Sequence, residues 1–219
     1  MLRRSKGGGI MGHVITIAQQ KGGSGKTTLA VNLAVAFRRA GMTVALLDTD
    51  PQGSLGRWFL TRRQVFGEAG MDFSTASAWG VSYECEKLRK ANDIVIVDTP
   101  PKVDADLRPA LREADLVLVP VSASHVDLWA TEGVLDLALR ERKRAMIVLN
   151  RMKAGTRLGA EVAEVAAGLE ADLAEARLGQ RVVYAETLGQ GLGALEASGA
   201  AARDEVMRLA AEIRARLQG

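Results

Sequence analysis

Apolar positions along this chain gather into short aliphatic blocks, separated by segments long enough to form helices. Residues 13–18 (His-Val-Ile-Thr-Ile-Ala) make the first block, and 42–47, 93–98, 116–121 and 145–149 make four more, each read as a strand. Near-continuous aliphatic blocks suit strands buried on both faces, as a parallel sheet covered by helices requires. The segment 27–40 reads as a helix, stopped by Gly41 at a C′ position where glycine adopts the left-handed conformation easily. Strand alternating with helix predicts an α/β fold: a doubly wound, mainly parallel sheet flanked by helices on both faces. Ligands of such sheets gather beyond the carboxyl ends of the strands, so the residues just after each block carry the candidate chemistry.

The first block runs into Gln20-Lys21-Gly22-Gly23-Ser24-Gly25-Lys26-Thr27-Thr28. Between a strand and a helix N-terminus, backbone N–H groups and the positive end of the helix dipole face an anion, and Gly22, Gly23 and Gly25 let the backbone approach it closely. The spacing predicts that Lys26 reaches the β- and γ-phosphates of a nucleotide, that Thr27 offers its hydroxyl to Mg2+, and that Thr28 bonds a further phosphate oxygen, with Ser24 in the same cradle. A standard loop has glycine where this one has Gln20, and Lys21 is an additional cation. Two lysines beside one triphosphate exceed what a single site usually needs, so Lys21 is expected to serve something beyond its own nucleotide.

Three carboxylates then stand at the ends of two of the blocks. Asp48 and Asp50 stand in Asp48-Thr49-Asp50-Pro51-Gln52, and Asp98 precedes Thr99-Pro100-Pro101. Asp at such positions often caps a helix or forms a turn. Three of them beside a phosphate loop favour metal and water chemistry for at least two, because a carboxylate after a strand is the expected second handle on Mg2+.

Composition removes several alternatives. With 219 residues and 47% hydrophobic content the chain can bury one substantial core, and residues 11–219 are read as a single phosphate-loop domain behind a flexible leader, 1–10, with Met11 as an alternative start. No apolar run is long enough to span a bilayer and the leader lacks a signal-peptide stretch, which points to the cytoplasm. Cys85 stands alone, so neither an intramolecular disulfide nor a thiolate metal cluster is expected. The net charge of +3 comes from the leader: without Arg3, Arg4 and Lys6 there remain 26 basic and 26 acidic residues. Any contact with nucleic acid must therefore come from local clusters: 140–144, then Arg151, Lys153 and Arg157, then Arg177 and Arg181. Trp58, Trp79 and Trp129 are expected as core or half-buried packing.

Lys21 to Thr28, Asp48-Thr49-Asp50-Pro51-Gln52 and Ile96-Val97-Asp98-Thr99-Pro100-Pro101 resemble, in order and spacing, the deviant Walker A, Walker A′ and Walker B motifs of the ParA/MinD ATPases. Likeness continues through 118–122 and Asp127-Leu128, and it is greatest to the short ParA-type partition ATPases without an N-terminal helix-turn-helix domain. The resemblance implies a slow, Mg2+-dependent ATP hydrolase stimulated by a partner. Lys21 would reach across an ATP-bound homodimer to the other subunit's nucleotide. Asp50 would orient the attacking water, Asp48 would lie near the metal, Asp98 would be the Walker B carboxylate, and Asn150 would contact adenine. Nonspecific binding to nucleoid DNA and a cargo-bound adaptor, ParB-like or analogous, are also implied. Guanine-specific relatives carry Asp three residues after the corresponding Asn or Thr; Lys153 occupies that place here, favouring ATP over GTP. The similar nitrogenase iron protein needs two cysteines per subunit, which Cys85 alone does not supply. MinD-type members bind membranes through a C-terminal amphipathic helix. Here Val206, Leu209, Ala210, Ile213 and Leu217 share one face, which is expected to pack on the core. The alternatives are a MinD-like membrane-surface protein and an ATP-gated scaffold.

Overall fold

The computed structural model describes residues 11–101 and 107–218; the expected leader lies outside them. Strand β1 (His13–Ile17) leads to α1 (Lys26–Arg39), β2 (Val44–Asp48), α2 (Ser54–Phe66), β3 (Asp72–Thr75), α3 (Gly80–Ala91) and β4 (Ile94–Asp98). Then come α4 (Leu107–Glu113), β5 (Leu116–Val121), α5 (His125–Arg140), β6 (Ala145–Leu149), α6 (Arg157–Ala167), β7 (Asp172–Leu173), α7 (Val182–Gly189) and α8 (Ala200–Gln218). All strand pairs are parallel, in the order β3-β2-β4-β1-β5-β6-β7. The doubly wound α/β fold expected from the aliphatic blocks is the fold observed.

Both faces of the sheet are covered. Ile15, Ile17, Leu46, Ile96, Leu118 and Val148 point to the layer of α1, α2, α7 and α8. Their neighbours Val14, Leu47, Val95, Val119 and Ile147 point to α3, α4, α5 and α6. This is why the blocks show no polar alternation: each residue of a central strand meets a helix on one side or the other. The two edge strands, β3 and β7, are short and partly exposed, and no aliphatic block announced them. The apolar face of α8 packs into the core, with Val206, Leu209 and Ile213 at most 1% exposed. Cys85 lies on the buried face of α3, and burial pushes its thiol up to about 12. Among the described residues no helix is long and apolar enough to cross a membrane.

Candidate nucleotide-binding site

Strand register assembles the site. Asp98, the last residue of β4, stands opposite Ile17 at the end of β1 on one side and Asp48 at the end of β2 on the other. It therefore sits at the foot of the glycine-rich loop, where Thr27 donates its hydroxyl to Asp98 Oδ2 (2.6 Å). Asp98 is 1% exposed, and burial pushes its carboxyl up to about 7, against the pull of the Thr27 hydroxyl. Its other oxygen, Oδ1, is buried without a hydrogen-bond partner, and so is Ser24 Oγ in the loop. An open carboxylate oxygen beside a threonine hydroxyl suits a hard, oxygen-seeking cation such as Mg2+, which typically takes one or two protein oxygens and completes its shell with water and phosphate. Among the described residues no three His, Cys, Asp or Glu side chains converge as a metal cage.

The loop is held from several directions. Lys26 opens α1, nearly buried, with Nζ donating to Gln19 O (3.0 Å). Burial lowers its pKa, and the carboxylates of Asp98 and Asp50 oppose that shift. Gly25 precedes it at φ +91°, in the left-handed region. Asn150, just past β6, donates Nδ2 to Ser24 O (2.8 Å) and accepts the Arg151 N–H on Oδ1 (2.9 Å), so its amide buttresses the loop. Sequence reasoning missed this role and that of Gln19, whose amide ties the loop to Pro120 O (3.1 Å) and Thr131 Oγ1 (3.0 Å). No short motif marks either contact, because the partners lie more than a hundred positions away.

Asp48 and Asp50 take different parts. Asp48 is 3% exposed, and its oxygens accept the N–H groups of Asp50 (3.1 Å) and Gly56 (2.9 Å). Burial raises its pKa despite those bonds. It thereby fixes the turn that presents Asp50, which is half-buried with Oδ1 accepting the Gln52 N–H (2.9 Å). Lys21 Nζ, on the far side of the loop, pairs with Asp127 Oδ1 on α5. Beyond Thr28 opens a cleft of about 590 Å3, lined by Asn150, Arg151, Lys153, Gln180 and Tyr184. It is placed to receive what lies beyond the phosphates of a bound nucleotide.

Two of the three basic clusters converge. Lys153, Arg157, Arg177 and Arg181 surround one cleft of about 880 Å3, whereas Arg144 lies at the opposite end of β6 with Nη1 donating to Arg216 O (3.0 Å). The expectation for the tryptophans holds only for Trp58, which is 2% exposed; Trp79 is 88% and Trp129 70% exposed. Trp79 stands on the turn before α3, after Ala78 at φ +45°. Trp129 falls on the outer side of α5, whose inner side is Leu128, Thr131, Val134 and Ala138.

Comparison with known proteins agrees with this architecture. A family model for the CobQ/CobB/MinD/ParA nucleotide-binding domain matches residues 15–188. The maintenance of carboxysome distribution protein A of Halothiobacillus neapolitanus is 28% identical, over 91% of this chain and 95% of that protein. The chromosome-partitioning ATPase Soj of Thermus thermophilus is 32% identical, over 93% and 96%. Among solved structures, the septum site-determining protein MinD of Pyrococcus horikoshii complexed with Mg-ADP superposes with a TM-score of 0.75 at 19% identity, covering 93% of this chain and 96% of that one.

Proposed function

The chain belongs to the CobQ/CobB/MinD/ParA nucleotide-binding family, and from that membership we propose that residues 11–219 act as one ATP-dependent switch domain: Mg2+ and ATP favour a homodimer that holds DNA nonspecifically, and hydrolysis releases it. The observation that carries the reading is a complete phosphate and cation cradle with a second lysine, Lys21, at its rim. Ser24, Gly25, Lys26, Thr27 and Thr28 hold the phosphates, and Thr27 and Asp98 hold the cation, with Asp48 and Asp50 reaching it through water. Bound Mg2+ neutralises charge on the β- and γ-phosphates. Asp50, presented by Asp48, orients the attacking water and accepts its proton. Lys21 leaves Asp127 for the partner subunit's nucleotide. The base occupies the cleft beyond Thr28, where Asn150 steadies the loop and Lys153 stands in place of a guanine-binding Asp.

Support for nucleic acid is the convergence of two basic clusters that sequence separates. Lys153 and Arg177 take part in no ion pair among the described residues, so their charge is available to phosphates. The relatives' names span a carboxysome and a chromosome; a cargo of either kind, linked through an adaptor protein, fits a switch that works on the nucleoid in the cytoplasm. The membrane-surface reading has less support, since the apolar face of α8 is already buried.

The test uses two variants. Lys21→Ala should bind ATP but stay monomeric by light scattering, and Asp50→Ala should dimerise, shift DNA and hydrolyse ATP at least about tenfold more slowly. A Lys21→Ala protein that dimerises like its parent removes the trans role, and normal hydrolysis by Asp50→Ala removes the catalytic one. The protein that co-purifies with ATP-trapped Asp50→Ala identifies the adaptor.

A further inference from the structure

One wall of the cleft beyond Thr28 is the segment 178–184, and a single carboxylate from the last helix holds it from behind. Glu205 Oε2 accepts the Gly179 N–H (3.0 Å) and the Tyr184 hydroxyl (2.9 Å). Its Oε1 accepts Nε (3.0 Å) and Nη2 (2.6 Å) of Arg181. Gly179, Arg181 and Tyr184 all line the cleft. The same segment is also tied by backbone pairing: Leu178 N to Leu149 O (2.9 Å), Met152 N to Leu178 O (2.9 Å) and Gln180 N to Met152 O (2.9 Å). A Cβ at Gly179 would come within 3.2 Å of Glu205 Oε1, so the wall and the carboxylate are already in close contact. Burial opposes the charge on Glu205, yet Arg181, the Gly179 N–H and the Tyr184 hydroxyl outweigh it and hold the carboxyl below its usual range.

We propose that Glu205 is a positioning residue for the nucleoside half of the nucleotide site, setting the wall of Gly179, Arg181 and Tyr184 against which the base and ribose seat. The proposal rests on the ATP-binding reading above. Glu205 contacts none of Gly22 to Thr28, so its influence should fall on the nucleoside and leave the phosphates untouched. A ligand made of phosphate alone separates the two.

The experiment measures the affinity of the full chain for ATP and for inorganic tripolyphosphate, each with Mg2+, by calorimetry or by displacement of a fluorescent nucleotide. Glu205→Ala should weaken ATP about tenfold or more, the scale of one to two lost charge-assisted hydrogen bonds, while tripolyphosphate stays within about twofold. Glu205→Gln, which keeps an acceptor for Gly179, should restore part of the loss. Equal shifts for both ligands, or a shift for neither, overturn the proposal. A parent protein that binds neither ligand overturns the ATP-binding reading instead. If Glu205→Ala does not fold, Glu205→Gln and Tyr184→Phe decide: one of them must weaken ATP relative to tripolyphosphate, and the proposal falls if both bind the two ligands as the parent does.

Discussion

At position 25 the backbone passes through φ +91°, and a Cβ there would lie 2.4 Å from Asn150 Nδ2. That nitrogen is the one that donates to Ser24 O. Gly25→Ala therefore meets two penalties: strain in the left-handed region, of order 1–3 kcal/mol, and displacement of the amide that buttresses the loop. The expected result is a folded protein whose melting temperature falls by roughly 2–12 °C, at about 2–4 °C per kcal/mol in a domain of this size, and whose ATP binding is lost in calorimetry. A Gly25→Ala protein that binds ATP normally would show that the loop tolerates a second conformation. Gly25 was legible in the sequence because the loop's spacing is local. The buttress was not, since Asn150 and Ser24 are 126 positions apart and a lone Asn after a strand has many uses.

Helix α5 meets the loop segment at three places between residues 127 and 133. Thr131 accepts from Gln19, Gly133 leaves room for the Gln20 amide, and Asp127 pairs with Lys21. Asp127 is almost fully buried and also accepts the Ser122 N–H (3.1 Å). For Lys21 to serve a second subunit it must leave this carboxylate, and a buried charge that loses its partner is costly. On the proposed dimer reading, the pair would oppose dimerisation until ATP and the second subunit offset that cost. Asp127→Asn removes the charge and keeps an acceptor for Ser122. It should lower the ATP concentration that half-saturates dimerisation about fivefold or more, read by light scattering across an ATP titration. A higher requirement would mean that the pair belongs to the dimer-competent arrangement. Lys21 stood out in sequence as surplus charge, but its present partner did not, because Asp127 reads equally well as a first-turn acid of α5. Edge strands β3 and β7 were hidden for a related reason: with one side exposed, they need no aliphatic block.

For the whole molecule, the site lies at the carboxyl end of β1, where the chain's path across the sheet turns from β4 on one side to β5 on the other. The five central strands were readable from the run of aliphatic blocks, yet their order was not, because each pairs with a segment remote in sequence. The same long-range packing decides what α8 does. As a sequence, its apolar stripe suits either a bilayer or a core. In the fold, Leu209 and Ile213 are fully buried and Val206 is 1% exposed, all within the cluster that includes Leu33 and Phe37 of α1. A helix cannot place the same stripe in a membrane without giving up that packing. Leu209→Ala should therefore cost about 2–5 kcal/mol in chemical denaturation, the effect of a core residue and not of a surface anchor. Flotation of the parent with anionic vesicles should recover it in the unbound fraction with and without ATP. Flotation only with ATP, together with a small cost for Leu209→Ala, would mean that α8 detaches on nucleotide binding and would restore the membrane reading over the DNA one.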